Sequence, residues 1–133
     1  MEKHLTVYKA SAGSGKTFTL AVEYISLLVK DPENYRKILA VTFTNKATQE
    51  MKMRILSQLY GIANQLETSE QYFNKVKEKT GMPDVVIRNN ARYALTLLIH
   101  RYNNFRIQTI DAFFQQVLRN LAHELGQTAN LRV

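Results

Sequence analysis

The sequence predicts an α/β protein in which a parallel sheet is flanked by helices. Three observations predict this class: an apolar run at residues 4–9 that leads into a helical pattern, a nearly continuous apolar run at 37–43, and a third strand pattern at 105–110. Apolar runs without alternation are typical of strands buried on both faces of a parallel sheet. Sheets of this class usually contain more strands, so we expect this one to be incomplete.

Composition limits the classes of protein to which the chain can belong. Its 133 residues suffice for one domain, or part of one, and the absence of cysteine excludes disulfides and thiolate metal sites. Neither a signal peptide nor an apolar stretch of ~20 residues is present, so we expect a soluble, cytoplasmic protein without a membrane partner. The net charge of +7 favours a polyanionic partner such as nucleic acid. Charge alone does not separate nucleic acid from an anionic membrane surface or from simple solubility.

A glycine-rich loop follows the first strand and opens a helix predicted over 15–30. It matches the phosphate-binding pattern G-x-x-x-x-G-K-[ST], except that alanine occupies the first position. Glycines allow backbone conformations that let successive N–H groups converge on one anion. The predicted phosphate-binding residues are Ala10, Ser11, Ala12, Gly13, Ser14, Gly15, Lys16 and Thr17. The alternative interpretation of this stretch is a small-residue turn between a strand and a helix.

Two side chains of the loop have predicted chemical roles. Lys16 is expected to contact the β- and γ-phosphates and is the candidate catalytic residue. Thr17 is expected to offer its hydroxyl to a Mg²⁺ ion that bridges those phosphates. The positive end of the following helix faces the same charges. The predicted cofactors are therefore a nucleoside triphosphate and Mg²⁺.

The second strand, at 37–43, comes after Pro32 has ended the first helix and before polar residues 44 and 45. A strand–helix–strand unit of this length is a right-handed crossover, so the two strands should be parallel. Ligands are then expected at the edge where the strands end. A helix follows from Asn45, and its predicted core stripe is Ala47, Met51, Ile55, Leu59, Ile62 and Leu66.

A helical insertion at about 65–103 is predicted before the third strand. Residues 67–80 are polar with weak periodicity, and a turn at 81–84 restarts a helix. The apolar face of that helix carries Ile87, Ala91, Ala94, Leu95, Leu98 and Tyr102.

The third strand, 105–110, is followed by Asp111, which is predicted to cap a last helix. The apolar face of this helix carries Phe114, Val117, Leu118, Leu121, Ala122 and Leu125, and the pattern fades after Gly126. An alternative role for Asp111 is that of a Walker B carboxylate that holds Mg²⁺ through water. That role is disfavoured because Gln108 and Thr109 interrupt the apolar run and no second acid follows.

Three stretches together resemble motifs I, Ia and Ib/Ic of superfamily I DNA helicases of the UvrD/RecB type. They are residues 10–17, residues 38–47 with Glu50-Met51 and Arg54-Ile55, and residues 107–113. A loop that begins with alanine resembles that of the RecB and AddA branch of this family, which comprises the helicase-nuclease subunits of exonuclease V type. The resemblance covers nearly the whole chain except the helical region.

The resemblance implies that residues 1–133 are the N-terminal part of a UvrD-like helicase ATP-binding domain, the first RecA-like P-loop NTPase domain of the motor. The implied full-length enzyme is an ATP-dependent DNA helicase, with or without a nuclease domain, that translocates on single-stranded DNA in recombination and repair. The implied partners are single-stranded DNA, the remainder of the motor protein and other helicase-nuclease subunits.

The resemblance also implies nucleic-acid contacts after the second and third strands. The residues concerned are Thr42, Phe43, Thr44, Asn45, Lys46, Thr109 and Phe113. Hydroxyl, amide and ammonium groups suit phosphate oxygens and an aromatic ring suits a base, a combination that tolerates any sequence. Two alternatives stay open: Thr44 and Asn45 cap the following helix, and Phe43 belongs to the core. Family members often carry histidine where this chain has Asp111, so a capping role suits Asp111 better than a phosphate contact.

Hydrolysis in this family requires the Asp-Glu pair of motif II and arginines from later motifs. None is identifiable in this sequence, so we expect residues 1–133 alone to bind nucleotide weakly and hydrolyse almost none. Two other classes remain open: a stand-alone P-loop nucleotide kinase or other small phosphoryl-transfer enzyme, and a non-catalytic nucleic-acid-binding module whose loop holds a phosphate.

Overall fold

The computed structural model describes residues 4–7 and 15–131, with side-chain detail for residues 16–126. The described part is mixed α/β and mostly helical. Its strands and helices are β1 (His4–Val7), α1 (Gly15–Lys30), β2 (Ile38–Thr42), α2 (Asn45–Ala63), α3 (Glu70–Thr80), α4 (Asp84–His100), β3 (Ile107–Thr109) and α5 (Ile110–Leu131). Short 3-10 helices at Pro32–Arg36, Glu67–Ser69 and Tyr102–Asn104 complete the connections.

The three strands form one parallel sheet in the order β1-β2-β3. Val7 pairs with Val41 in the register of β1 and β2, and Thr42 pairs with Thr109 in that of β2 and β3. The predicted parallel pairing is confirmed, although the strands are shorter than the apolar runs suggested. This register brings the carboxyl ends of all three strands to one edge of the sheet.

The hydrophobic core lies between one face of the sheet and the helices α1 to α4. Ile38 and Ala40 of β2 and Ile107 of β3 belong to it, as expected for side chains that alternate between the two faces of a sheet. The largest fully buried side chains are Tyr24, Tyr35, Leu20, Ile25, Leu28, Ile38, Met51, Ile55, Leu59, Ile62, Ile87 and Leu98. Each such aliphatic or aromatic side chain contributes roughly 1.5–3 kcal/mol by its removal from water.

The end of α1 is fixed by the segment that follows it. The Asp31 carboxylate accepts a hydrogen bond from the Glu33 N–H at 3.1 Å, and Pro32 occupies the first position of the 3-10 turn. The Asn34 amide donates to the Leu27 carbonyl at 2.8 Å, which satisfies one of the terminal acceptors of α1. The predicted bounds of this helix are confirmed.

Residues 67–80, which belong to the predicted helical insertion, contain the helix α3 in spite of their weak periodicity. Three apolar residues, Tyr72, Phe73 and Val76, form its buried face. The rings of Tyr72 and Phe18 lie 4.6 Å apart and join α3 to α1. Gly81 ends the helix with a φ of 65°, a left-handed conformation that glycine adopts without strain. Tertiary contact, more than local pattern, therefore stabilises α3.

Helix α4 packs on α2 and completes the carboxyl end of that helix. The Arg88 guanidinium donates to the Ile62 carbonyl at 2.7 Å, and Arg92 donates to the Ala63 carbonyl at 3.0 Å. Two residues of the predicted core faces prove to be exposed. Leu66 lies beyond the end of α2 and Tyr102 lies beyond the end of α4, so neither follows the helical stripe into the core.

Helix α5 carries the predicted apolar face, but that face is exposed. Phe114, Val117, Leu118, Leu121 and Leu125 all retain more than two fifths of their accessible surface. The helix also continues past Gly126 to Leu131, further than the sequence pattern indicated. None of the described helices is long and apolar enough to cross a bilayer.

Candidate functional site

Each candidate site segment follows, along the chain, a strand that ends at one edge of the sheet. Residues 8–14 follow β1, the turn at 43–44 follows β2, and α5 begins directly after β3. Because Val7 is in register with Val41, and Thr42 with Thr109, the three strands end at the same level. A ligand at this edge can therefore lie near the ends of more than one strand.

The phosphate-binding prediction is only partly within the described residues. Ala10, Ser11, Ala12, Gly13 and Ser14 lie outside them. Gly15 is the first residue of α1, so Lys16 and Thr17 lie in the first turn of that helix. Lys16 is exposed and Thr17 is half-buried.

The amino end of α1 has the electrostatics of an anion site. Its first turn contains no acidic residue, and Lys16 adds a positive charge to the positive end of the helix dipole. The helix is held rigidly behind this end, because Leu20, Tyr24 and Ile25 are buried in the core. The arrangement can hold a phosphate group at a defined position relative to the sheet.

The turn after β2 is fixed by a buried pair of hydroxyl groups. Thr42 is fully buried, and its Oγ1 lies 2.6 Å from the Oγ1 of Thr48. Either hydroxyl can donate to the Thr44 carbonyl, at 3.3 Å from Thr42 and 3.1 Å from Thr48. Two protons serve three contacts, so one hydroxyl donates to the carbonyl while the other donates to its partner. A direct side-chain contact of Thr42 with nucleic acid is not available in this arrangement, and the residue positions the turn instead.

Thr48 is a residue that the sequence interpretation missed. It lies on the buried face of α2, four residues after Thr44, and the Thr44 carbonyl accepts from both its N–H and its hydroxyl. The i, i+4 spacing of two threonines at a helix start was the available signal, since a threonine hydroxyl can bond the carbonyl one turn back.

A Thr48→Val substitution is expected to lower the free energy of unfolding by about 1–2 kcal/mol, because it leaves a buried hydroxyl with one partner fewer at nearly unchanged volume. Urea denaturation of the purified protein measures this. Thr96→Val is the matched control: Thr96 bonds the Arg92 carbonyl at 3.0 Å in the same i, i−4 geometry, but on an exposed surface. Equal losses in both variants would contradict the role of the buried pair.

The side chains beyond Thr42 are directed outward. Thr44 caps α2, since its Oγ1 accepts from the Ala47 N–H at 3.0 Å, so the capping interpretation is confirmed for this residue. Asn45 is the first residue of α2. Phe43, Asn45 and Lys46 are exposed. Phe43 is therefore not part of the core, and an aromatic ring and an ammonium group are both exposed at the start of this segment.

The start of α5 differs from the predicted arrangement. Thr109, not Asp111, caps the helix: its Oγ1 accepts from the Ala112 N–H at 3.0 Å. Helix α5 begins one residue before Asp111, so the exposed carboxylate of Asp111 lies in the first turn of the helix. There it interacts favourably with the positive end of the helix dipole. Phe113 is half-buried, with its ring 5.9 Å from that of Phe114. Thr109 and Phe113 thus flank the same edge as Phe43.

Within residues 16–126, the structure contains no group of three or more His, Cys, Asp or Glu residues arranged for a metal ion. Thr17, the residue predicted to contact Mg²⁺, lies in this range and is half-buried. A hydroxyl supplies a single weak oxygen ligand, which suits a Mg²⁺ ion that takes its other ligands from phosphates and water.

Comparison with known proteins gives the chain a family context. A family model described as the UvrD/REP helicase N-terminal domain matches residues 1–133. The RecB subunit of the RecBCD enzyme of Haemophilus influenzae is 30% identical over 141 aligned positions, which cover 97% of this chain and 12% of that protein. The RecB subunit of Escherichia coli K12 is 33% identical, over 89% of this chain and 10% of that protein.

A second group of relatives consists of proteins named as ATP-dependent helicase/nuclease subunits. The member from Pediococcus pentosaceus is 28% identical, over 98% of this chain and 9% of that protein. The chain therefore spans about a tenth of the length of these curated relatives. No solved structure matches the chain.

Proposed function

The chain belongs to the UvrD/REP helicase family, whose N-terminal domain it matches over residues 1–133, and from this premise we propose that it forms the ATP-binding part of a DNA helicase motor. The fold that we propose for it is the RecA-like P-loop NTPase domain. The motor uses ATP hydrolysis to translocate on single-stranded DNA, as part of a helicase or helicase-nuclease protein.

The observation that carries the proposal is the common edge of the three strands. A predicted phosphate loop follows β1, and the turn with Phe43 and Lys46 follows β2 at the same level. Nucleotide and nucleic acid would therefore bind side by side on one rigid sheet. A change in the nucleotide then reaches the DNA-contacting turns through strands that are hydrogen-bonded to each other.

The nucleotide half of the proposed site consists of residues 10–17. The loop N–H groups and the amino end of α1 hold the phosphates, and Lys16 neutralises charge on the β- and γ-phosphates. Thr17 offers its hydroxyl to the Mg²⁺ ion, which supplies charge neutralisation between the phosphates. ATP is the proposed nucleotide because the helicase/nuclease relatives are named as ATP-dependent.

The DNA half of the proposed site consists of exposed and half-buried groups at the ends of β2 and β3. Phe43 stacks on a base, Lys46 and Asn45 contact the backbone, and Thr109 and Phe113 extend the surface along the edge. A buried pair of threonine hydroxyls holds the Phe43 turn in place from below. Stacking and phosphate contacts carry no sequence information, which suits a motor that moves along DNA of any sequence.

Hydrolysis also needs groups that are not identifiable in this chain. A carboxylate must activate the attacking water, and arginines must stabilise the charge that develops on the γ-phosphate. We assign these groups to the remainder of the motor protein, which is therefore a proposed partner of this chain. Further helicase-nuclease subunits are proposed partners because relatives are named as subunits of RecBCD.

The experiment that tests the proposal is ATP hydrolysis by the intact protein with and without single-stranded DNA. A motor hydrolyses ATP much faster on DNA than off it, whatever the DNA sequence. Hydrolysis unaffected by DNA would contradict the proposal. Transfer of the γ-phosphate to a nucleotide acceptor would instead identify the kinase alternative.

A Phe43→Ala variant is expected to bind single-stranded DNA about 10-fold more weakly, since stacking of one base is worth about 1–3 kcal/mol. Fluorescence anisotropy with a labelled oligothymidine measures this. Tyr93→Ala is the control, because Tyr93 is as exposed as Phe43 (53% against 49%) but lies on α4, away from the sheet edge. If the two variants lose affinity equally, Phe43 has no specific role.

A further inference from the structure

A basic cleft lies along the outer side of β3, apart from the edge described above. It has a volume of about 800 Å³ and contains four cationic side chains, those of Arg36, Lys52, Arg101 and Arg106. These four residues come from three separate stretches of chain: the end of a 3-10 helix, α2, and the connection from α4 to β3, which carries both Arg101 and Arg106. Folding therefore brings together positive charges that are separated along the sequence.

Among the described residues, carboxylates compensate little of the positive charge in this cleft. None of the described residues that line the cleft is acidic. Arg36 pairs with Glu33 at 3.5 Å, but both side chains are largely exposed, a geometry that contributes little. Lys52 is held instead by aromatic rings, with its Nζ 5.0 Å from the centroid of Tyr102 and 5.9 Å from that of Phe105. The electrostatic complement of such a surface is an anion from outside the described residues.

The cleft is also rich in neutral hydrogen-bonding groups. Asn103, Asn104, Gln108 and Gln116 supply side-chain amides, and Gln108 donates to Gln116 at 3.4 Å across the wall between β3 and α5. Amide groups can donate to phosphate oxygens and can also contact sugars and base edges. The Ala40 N–H donates to the Arg106 carbonyl at 3.0 Å, so the main chain that carries this arginine is part of the sheet hydrogen bonding.

The position of the cleft separates it from the proposed motor site. Arg36 precedes β2 and Arg106 precedes β3, so these two cations lie at the amino ends of the strands. β2 has five residues and spans about 15 Å, which puts Arg36 that far from the edge with Phe43 and Lys46. Arg106 lies three residues, about 10 Å, before Thr109 at the end of β3. One phosphate group cannot contact both places.

We propose that this cleft binds the phosphate backbone of nucleic acid, as a second contact distinct from the one at the carboxyl ends of the strands. The cleft is too large for one phosphate, and its repeated charges suit a polymer with repeated phosphates. The surrounding amides favour nucleic acid over an acidic peptide, because they match sugar and base groups that such a peptide lacks. Single-stranded and duplex DNA share this backbone chemistry.

The test is an Arg101→Ala/Arg106→Ala double variant of the intact protein, measured without nucleotide. Binding of a labelled 20-nucleotide single strand and of a 20-base-pair duplex is followed by anisotropy over a salt series. Whichever of the two DNA probes occupies the cleft, the affinity of the double variant for it at low salt is expected to fall about 10-fold. The slope of log affinity against log salt should fall by about 0.7 per lost contact for a single strand, or about 0.9 for a duplex.

Three further variants keep the result interpretable. Lys75→Ala/Arg119→Ala removes the same charge from exposed positions outside the cleft and should change affinity by less than about twofold. Arg101→Lys/Arg106→Lys keeps the charge and should retain most of the binding. Lys52→Gln leaves the arginines in place and should weaken binding in the same form of DNA, which covers the case in which the double alanine variant does not fold.

Two results would overturn the proposal. One is an equal loss of DNA affinity in Arg101→Ala/Arg106→Ala and in the control Lys75→Ala/Arg119→Ala. That result would show that the cleft contributes only through the net charge of the protein. The other is unchanged DNA binding combined with lost binding of an oligoglutamate peptide, which would identify an acidic protein segment as the occupant. The losses of DNA-binding free energy in Phe43→Ala and in Arg101→Ala/Arg106→Ala should be additive. Each proposed site is therefore tested by its own variant, and either proposal can fail without the other.

Discussion

Replacement of Lys16 by alanine is expected to lower the affinity for ATP by about 100-fold, because charge-assisted hydrogen bonds to phosphates together contribute ~3 kcal/mol. Lys16 is exposed in the first turn of α1, where its removal leaves the packing of the helix unchanged. Titration of the intact protein with a fluorescent ATP analogue measures the affinity. ATP hydrolysis should fall to the background level.

The matched control for this substitution lies at the other end of the same helix. Lys30 is also exposed, in the last turn of α1, and Lys30→Ala removes the same charge about 20 Å away from Lys16. It should leave nucleotide affinity within about twofold of the parent protein. Retained affinity in Lys16→Ala, with the same melting behaviour as the parent, would refute the phosphate-loop assignment and with it the proposed ATP site.

Gly61→Ala is expected to lower the free energy of unfolding by about 1–3 kcal/mol, the usual cost of overpacking a buried position. Gly61 lies near the end of α2 and is buried. A Cβ atom there would overlap the Ser69 Oγ and come within 2.7 Å of the Ser69 Cβ. Ser69 is itself buried between α2 and α3, so it has little room to move. Urea denaturation with an unchanged slope would report the loss as one of stability.

Gly126 offers a control of opposite sign. It lies in α5, and a Cβ there would meet nothing within 4 Å. Gly126→Ala should therefore be neutral or stabilise the protein by up to ~1 kcal/mol through helix propensity alone. A double variant, Gly61→Ala/Ser69→Gly, removes the overlapping atoms and should lose less than the sum of the two single changes. Strict additivity would show that Ser69 is not the source of the strain.

Local sequence patterns predicted the strands and the helices that carry a regular apolar stripe. Helix α1 begins and ends where expected, because a glycine-rich loop precedes it and Asp31 and Pro32 follow it. The run at β2 is buried on both faces, as its unbroken apolar character indicated. Helix α3 lies within the predicted helical insertion, but periodicity did not indicate its bounds, because its few apolar residues are buried only through contact with Phe18 and the core.

The candidate site was predicted to a similar extent. Residue types and spacing indicated the phosphate loop and the two turns, and the ligand contacts of individual residues stay predictions. Burial was not predictable: Thr42 and Thr44 are two residues apart and chemically identical, yet one is fully buried and the other caps a helix at the surface. The exchange of roles between Thr109 and Asp111 has the same origin, since the cap depends on where β3 ends.

The sequence alone thus determined the family resemblance and the order of strands and helices, and it predicted the chemistry of the loop, because these depend on residues close together in the chain. Only the tertiary structure decided which groups meet. The register of the sheet brings the ends of β2 and β3 to one edge, and the approach of three separate stretches of chain gathers Arg36, Lys52, Arg101 and Arg106 in one cleft. Such convergence depends on packing between distant segments, which no local pattern records.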